Sequence, residues 1–338
     1  MEGLTEGYFL ETGEGLLFEV RGHVHPPGYT VAFLRYAPYK VLGRGVSRRG
    51  LVKVYDLGER WRLLREGYPD YLRFDEAYGR VMQEVPDSRV HRIFNPKERL
   101  LDMRRGGAAD KLERRILEMA EELAEAAGVD LGSMGVSGSI LPGLHLEGSD
   151  LDLIVYGGDN SLKVDGALRD LLSRGGDFKP YGREGLLKLY RARGLDRLIG
   201  LEEFLYAEGG KAFQGLFKGS EYFIRFVKYP HETGESYGDP SYRPLGRGSL
   251  EAVVLDDSEA IFTPCRYLVE GWAKVGDERM PIREVASFRG RFCCQAVRGD
   301  HVRGMGTVEE VRWRSGLSYL RVIVGEDRGD FLIPGMVE

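Results

Sequence analysis

Short runs of alternating apolar and polar residues dominate both ends of the chain, whereas longer helical patterns are concentrated in its middle. The runs at residues 16–20 and 30–36 are typical of strands, and the Gly- and Pro-rich segments beside them predict turns. After residue 240 the pattern again favours strands, with recurring glycines. We therefore expect an α+β fold, in which a central mixed sheet with helices is flanked by an N-terminal β-rich domain and a small C-terminal all-β barrel or sandwich.

These patterns divide the chain into three expected domains. They cover residues 1–105, 106–240 and 241–338. The clearest strands of the third domain are predicted at 250–255, 288–297 and 317–324. The stretch at 230–248 is rich in Gly, Pro and Tyr, and we expect a linker there, with a lid over a site as the alternative.

The middle domain begins with a strong helical pattern. Apolar residues recur at helical spacing from Ala108 to Ala127, and Gly128 is expected to end the helix. This helix should pack on one face of the central sheet. Strands are predicted at 134–137, 151–156 and 221–228, and further helices near 161–174, 183–193 and 199–206.

Two acidic residues of this domain carry candidate catalytic chemistry. Asp150 and Asp152 are separated by one residue, so the period of a strand places both carboxylates on the same face. Adjacent carboxylates repel each other, and burial removes their hydration. A cation between them offsets both costs, and Mg²⁺ (or Mn²⁺) prefers such oxygen ligands. We therefore interpret Asp150 and Asp152 as metal ligands and catalytic residues.

A glycine and a serine precede these acids. Gly138 would let the backbone approach a phosphate closely, and Ser139 offers a hydroxyl and an N–H group. The pattern hydrophobic-Gly-Ser, followed after ten residues by Asp-hydrophobic-Asp-hydrophobic, resembles the signature of the DNA polymerase beta-type nucleotidyltransferase superfamily. The whole chain also resembles an uncharacterised archaeal family of predicted nucleotidyltransferases.

The resemblance implies a fold, a reaction and its substrates. The central sheet would be polymerase beta-like, and the protein would transfer a nucleoside monophosphate from an NTP to a hydroxyl, releasing pyrophosphate. Gly138 and Ser139 would contact the β- and γ-phosphates, and Ser149 would stabilise the turn before the acids and belong to the nucleotide site. The arrangement of the domains and the basic segments, rather than the resemblance, lead us to expect that the flanking β-rich domains select the acceptor. RNA, such as a tRNA-like molecule, is the first expectation, and a protein or small molecule is the alternative.

The third acid of the superfamily pattern is not evident in this sequence. It is expected on a later strand between hydrophobic residues, and the residue in that position at 221–228 is Arg225. Arg225 would either bind the triphosphate or form a salt bridge with Asp150 or Asp152. The other candidate acids are Glu221, Glu251 and Asp256. An alternative function follows, namely a catalytically degenerate nucleotidyltransferase fold that binds RNA or nucleotides.

Composition indicates a globular protein of a reducing compartment. Of the 338 residues, 42% are hydrophobic and 30% charged, and the formal net charge is −5. No apolar run is long enough for a membrane span, the first residues lack the features of a signal peptide, and three cysteines do not make a disulfide framework. We expect a cytoplasmic protein. Basic segments at 179–197 and 279–328 are candidate RNA-contacting surfaces, or else salt-bridged ones.

Overall fold

Strand patterns and helical patterns both occur in the folded chain, which is α+β as expected. The computed structural model describes residues 3–43, 45, 47–194 and 198–335. These residues form two compact units, the first drawn from 3–75, 81–177 and 217–237, and the second from 76–80, 178–216 and 238–335. Residues of the expected first and second domains both contribute to the first unit, and the division into three domains stays a prediction.

The N-terminal part of the first unit is rich in strands, as its alternating pattern predicts. The strands are β1 (Phe9–Thr12), β2 (Leu17–Val20), β3 (Tyr29–Pro38), β4 (Ser47–Arg48), β5 (Leu51–Lys53), β6 (Leu72–Asp75), β7 (Arg80–Pro86) and β8 (Val90–Phe94). Their order is β4-β5-β3-β2-β1-β8, and β7 pairs with both β3 and β6. The helices are α1 (Tyr39–Leu42), α2 (Leu57–Gly67) and α3 (Pro96–Asp102). Leu10, Phe18 and Leu34 are fully buried in the core of this part.

The helix predicted at 108–127 is α4 (Lys111–Ala127). It begins later than expected because the Asp110 side chain accepts hydrogen bonds from the backbone N–H groups of Leu112 and Glu113 and so caps the helix. It ends at Gly128, whose φ of 62° is left-handed. Ile116, Met119, Ala120 and Leu123 are fully buried along one face, as their spacing predicts.

After α4 the chain forms the central strands. It continues through β9 (Met134–Val136), β10 (Leu151–Tyr156) and α5 (Gly158–Arg174). It then passes into the second unit through β11 (Phe178–Lys179), α6 (Arg183–Arg193), α7 (Leu201–Gly209) and β12 (Gln214–Phe217), and returns as β13 (Ser220–Val227). Strand β10 lies between β9, which is antiparallel to it, and β13, which is parallel. Of the two predicted carboxylates, Asp152 is therefore on a central strand, and Asp150 lies directly before it.

The second unit contains the C-terminal strands. They are β14 (Ser241–Asp256), β15 (Cys265–Val275), β16 (Glu278–Ser287), β17 (His301–Arg312), β18 (Ser318–Ile323) and β19 (Phe331–Pro334). Their order is β14-β15-β16-β18-β17-β19, and β14 also pairs with β17. The predicted strand-rich character of 241–335 is confirmed, and the choice between barrel and sandwich stays a prediction.

Two expectations for this region are wrong. The linker expected at 230–248 is in part a strand, since β14 pairs with β17 from Ser241 onward. The strand expected at 288–297 is instead a turn with one short 3₁₀ segment, Gly290–Phe292. The buried hydroxyl of Tyr267 donates to the carbonyl of Phe292 at 2.6 Å and accepts from the N–H of Gln295 at 2.8 Å. These bonds give backbone groups of this segment hydrogen-bond partners outside a sheet. An apolar run with the pattern of a strand therefore folds as a loop.

Candidate metal and nucleotide site

The two predicted carboxylates lie at the start of β10. Asp150 is exposed immediately before the strand, and Asp152 is half-buried within it. The pKa of Asp152 is raised to about 6. Burial and the charge of Asp150 raise it, whereas the charges of Arg225 and Lys53 act to lower it. The influence of Asp150 on this pKa indicates that the two acids are close, as period-two spacing predicts.

The glycine of the Gly-Ser pair lies against the second acid. Gly138 has a φ of 59°, and a Cβ atom added there would overlap the Asp152 carboxylate. The N–H of Ser137 donates to the carbonyl of Asp152 at 2.9 Å and holds the end of β9 beside β10. Ser139 is half-buried in the turn that follows, and its carbonyl accepts from Leu144 at 2.8 Å. The close approach requires glycine at position 138.

Ser149 closes the turn that leads to the acids. Its hydroxyl oxygen accepts a hydrogen bond from the N–H of Leu146 at 2.9 Å, and its own N–H donates to the carbonyl of Leu146 at 3.0 Å. These two bonds fix the backbone directly before Asp150. Contact between Ser149 and a nucleotide stays a prediction.

Arg225 forms its ion pairs with residues that sequence reasoning did not consider. Its Nη1 lies 2.8 Å from Glu6 Oε1, and its Nη2 lies 2.7 Å from Glu19 Oε1. Glu6 and Glu19 are fully buried. Burial acts to lower the pKa of Arg225, but these carboxylates hold it well above its usual value. Among the described residues, Arg225 forms no ion pair with Asp150 or Asp152, so that expectation is corrected.

Glu19 is the centre of this buried ion network. Besides Arg225, it pairs with Arg21 at 3.1 Å and with Arg35 at 2.9 Å. Burial acts to raise the pKa of Glu19, but the three guanidinium groups hold it well below its usual range. The network thus uses arginine charge to neutralise buried acids of the N-terminal strands. A role of Arg225 in nucleotide binding stays a prediction. Glu6 and Glu19 already bind its guanidinium group and would compete with a nucleotide for it.

The register of β13 bears on the missing third acid. Phe223 lies opposite Asp152 and Tyr222 opposite Leu151. One step further back, Glu221 falls beside Asp150, about 5 Å away in the direction of the inter-strand hydrogen bonds. Glu221 is half-buried and is the candidate acid nearest to the pair by register. The other two candidates, Glu251 and Asp256, belong to β14 of the second unit.

A lysine from β5 also faces the acid pair. Burial lowers the pKa of Lys53, and the nearby charge of Arg35 lowers it further, whereas Asp152 and Asp150 raise it. The ammonium group therefore lies within electrostatic range of both acids. It comes from a strand about a hundred residues earlier in the sequence, and no local pattern predicts it.

The donor set fits a hard divalent cation. Asp150, directly before β10, and Asp152, within it, offer carboxylate oxygens, and the absence of a side chain at Gly138 lets the Asp152 carboxylate lie against the turn. Mg²⁺ and Mn²⁺ prefer such ligands and keep several waters, which the exposure of Asp150 permits.

Comparison with known proteins identifies one relative of nearly equal length. "Uncharacterized protein MJ1086" of Methanocaldococcus jannaschii is 33% identical to this chain over 332 residues, which cover 96% of each protein. The chain belongs to the MJ1086 family. Because the similarity covers nearly the whole chain, it extends far beyond the twenty residues of the motif at 136–155. No protein-family model and no solved structure matches the chain.

This member of the MJ1086 family has a second group of ligand-type side chains, which the sequence analysis missed. Asp110, Glu113 and His145 place one ligand atom each within 4.8 Å of one another and could hold a metal ion. His145 Nε2 lies 2.7 Å from Asp110 Oδ2. Arg99 already binds Glu113 at 2.5 Å, and the N–H of Ala109 donates to the same carboxylate at 2.7 Å. These internal partners compete with a metal ion for Glu113.

Ion pairs occupy several arginines of the two basic segments. Arg183 pairs with Glu202, Arg193 with Glu208, Arg303 with Glu203, Arg312 with Glu310 and Arg321 with Glu309, at 2.7 to 2.8 Å. Asp196 and Arg197 lie outside the described residues. The salt-bridged interpretation therefore applies to these arginines, and RNA contact stays a prediction. Within the described ranges, every helix is too short or too polar to cross a bilayer.

Proposed function

We propose that the protein is a metal-dependent nucleotidyltransferase with a polymerase beta-like core around β9, β10 and β13. It would transfer a nucleoside monophosphate from an NTP to a hydroxyl acceptor, first of all RNA, with release of pyrophosphate. The observation that carries the proposal is the packing of Gly138 against the Asp152 carboxylate, with Asp150 close enough to raise the pKa of that carboxyl.

Each residue of the cradle has a role in the proposed reaction. Asp150 and Asp152 would hold one or two Mg²⁺ or Mn²⁺ ions, which neutralise the charge on the transferred phosphoryl group. The turn at Gly138 and Ser139 would accommodate the β- and γ-phosphates through its backbone N–H groups and the serine hydroxyl. Lys53, within electrostatic range of both acids, would balance the charge of an incoming polyphosphate. Glu221 would complete the set of acids beside Asp150.

A second candidate function has one observation in its favour. The residue of β13 opposite Asp152 is Phe223, and Arg225 is committed to Glu6 and Glu19. A scaffold with these substitutions would bind a nucleotide or RNA without turnover. Under this alternative the acid pair binds a cation and a phosphate ligand, and no pyrophosphate is released.

Pyrophosphate release separates the two candidates. The purified full-length chain is incubated with each NTP, Mg²⁺ or Mn²⁺ and total RNA, and pyrophosphate is measured by a coupled assay. Under the proposed function it is released with at least one NTP, and Asp150→Asn and Asp152→Asn each abolish the release. Asp159→Asn, an exposed acid at the start of α5, is the matched control and keeps full activity. NTP binding without any release under all conditions would establish the degenerate alternative.

A further inference from the structure

A cavity of about 500 Å³ lies in the first unit, beside the segment that follows the Gly-Ser turn. Leu141, Pro142 and Gly143 form part of its wall. The described residues that line it do not include Gly138, Ser139, Asp150 or Asp152. It is therefore distinct in composition from the candidate metal site, although the same turn connects the two.

Arginines are the most frequent residue type in the wall of this cavity. Four line it, from three separate segments of the chain: Arg48, Arg49, Arg92 and Arg99. Arg99 is bound to Glu113. Arg92 lies over the ring of Phe94 at 4.4 Å. Arg49 approaches the backbone of Gly143 so closely that a Cβ atom there would lie 3.0 Å from its Nη1.

Three of these guanidinium groups lack an anionic partner. Among the described residues, Arg48, Arg49 and Arg92 form no ion pair. The acids of the wall have their own partners in three cases: Asp102 pairs with Arg105, Asp110 with His145, and Glu113 with Arg99. Glu98 is the remaining acid that lines the cavity. A concave surface with three unpaired guanidinium groups favours an anion that can accept several hydrogen bonds.

His145 gives a second and independent indication. It lines the cavity with only 5% of its surface exposed, and its Nε2 is bound to Asp110 at 2.7 Å. Its Nδ1 is buried and has no hydrogen-bond partner among the described residues. An unsatisfied buried polar atom costs about 1–3 kcal/mol, so such atoms normally have a partner. Nδ1 is therefore available for a hydrogen bond with a group that enters the cavity.

We propose that this cavity is a binding site for a phosphate group. Phosphate matches the wall because several of its oxygens can accept from planar guanidinium groups at the same time. The group comes either from the polyphosphate of a nucleotide or from the backbone or end of an RNA. The site does not require transferase chemistry, and it stands if the proposed function fails.

Binding of inorganic pyrophosphate to the full-length chain tests the site. The titration is done by calorimetry in EDTA, so that no metal ion bridges pyrophosphate to Asp150 and Asp152. Wild-type protein should bind, and the double variant Arg49→Gln/Arg92→Gln should bind at least about tenfold more weakly. The double variant Arg48→Gln/Arg49→Gln provides a second test, at the segment that contains both arginines. Thermal unfolding confirms that each variant is folded.

Two controls separate this proposal from the proposed function. Arg62→Gln removes an exposed arginine of α2 and should leave the affinity unchanged. Asp152→Asn should also leave it unchanged, although it abolishes turnover. The proposal is overturned if wild-type protein does not bind pyrophosphate, if both double variants bind within twofold of wild type, or if Asp152→Asn weakens binding as much as they do.

Competition then identifies the source of the phosphate. ATP and a 5′-phosphorylated oligoribonucleotide are each added to the pyrophosphate complex in EDTA. Displacement by ATP at lower concentration assigns the cavity to a nucleotide, and displacement by the oligoribonucleotide assigns it to RNA. Either result supports the phosphate site, provided that the competitor also binds more weakly to Arg49→Gln/Arg92→Gln than to the wild-type protein.

Discussion

Two pairs of carboxylates in the first unit differ in what surrounds them. Asp75 on β6 and Glu84 on β7 are fully buried. Arg73 reaches both, with Nε 2.6 Å from Glu84 and Nη2 3.2 Å from Asp75, and the hydroxyl of Tyr237 donates to Asp75 at 2.9 Å. This pair is enclosed by donors of the protein itself, so its charge is balanced without a ligand.

The pair on β10 is arranged differently. Asp150 is exposed, Asp152 is half-buried, and the surface that packs against Asp152 is the bare backbone of Gly138. The nearby arginine, Arg225, is bound to Glu6 and Glu19. Thus one acid pair is enclosed by the protein, and the other includes an exposed carboxylate that a ligand can reach.

Perturbed pKa values alone do not distinguish the two pairs. Burial and a hydrogen bond shared with Asp75 together raise the pKa of Glu84 to about 7. Burial and the charge of Asp150 raise the pKa of Asp152 to about 6. Raised pKa values of this kind are common at functional sites. That of Glu84 nevertheless has a structural explanation, because Glu84 and Asp75 share a proton. Accessibility and the donors already present decide which pair is a candidate for catalysis.

Neutralising one acid of each pair should have very different effects on activity. Asp152→Asn removes a proposed metal ligand and should lower the rate of pyrophosphate release at least about a hundredfold, since such a ligand contributes several kcal/mol to the transition state. Glu84→Gln keeps the shape of an enclosed pair and should leave the rate within about twofold. Both rates are measured at saturating NTP. A comparable loss in both variants would show that the surroundings of the two pairs do not decide which of them acts in catalysis.

The enclosed pair should control how stability depends on pH. Because the pKa of Glu84 in the folded protein, about 7, is above its ordinary value of 4.5, the folded state holds this proton more tightly than the unfolded state. The contribution of Glu84 to stability is therefore most favourable below about pH 4.5. It falls by about 3 kcal/mol as the pH rises to 7. Urea unfolding between pH 4.5 and 8 measures the slope.

Glu84→Gln is the variant that isolates this contribution. It cannot ionise, so it should flatten most of the slope, and the remainder should reflect Asp152, whose raised pKa acts in the same direction. The matched change Glu147→Gln, at an exposed position before β10, should leave the slope as in wild type. An unchanged slope in Glu84→Gln would mean that the proton is held elsewhere.

The sequence predicts the local part of the candidate site well. The strand at 151–156 is confirmed without a shift, with Asp152 within it and Asp150 directly before it. The helix before the site follows from a regular apolar face and from Gly128. These features depend on residues within one element, where backbone geometry decides the outcome.

The parts that could not be predicted depend on contacts distant in sequence. Arg225 and Glu6 are 219 positions apart, and no pattern of spacing connects them. Lys53, likewise, meets Asp152 only because the strands of 1–105 and 106–240 share one unit. The loop at 288–297 is another case, since the hydroxyl of Tyr267 satisfies its backbone. Tertiary partners override local preference in each of these places.

The smallest predicted effect concerns the glycine that makes the β10 pair different from the enclosed one. Gly138→Ala introduces a Cβ that overlaps the Asp152 carboxylate, at a φ of 59° that non-glycine residues rarely adopt. The unfolding free energy should fall by about 1–3 kcal/mol. Gly148→Ala, where no heavy atom lies within 4 Å of the new Cβ, should change it by less than about 0.5 kcal/mol.

A double-mutant cycle separates overlap from backbone strain. In an Asp152→Ala background the carboxylate is absent, so Gly138→Ala should cost less, about 1 kcal/mol for the strain of a left-handed alanine plus the remaining contact with the Cβ of residue 152 at 2.9 Å. The difference between the two backgrounds measures how tightly the turn packs against the acid. If Gly138→Ala costs the same in both, the turn has room to move away from Asp152, and the cradle on which the proposed function depends is looser than its geometry indicates.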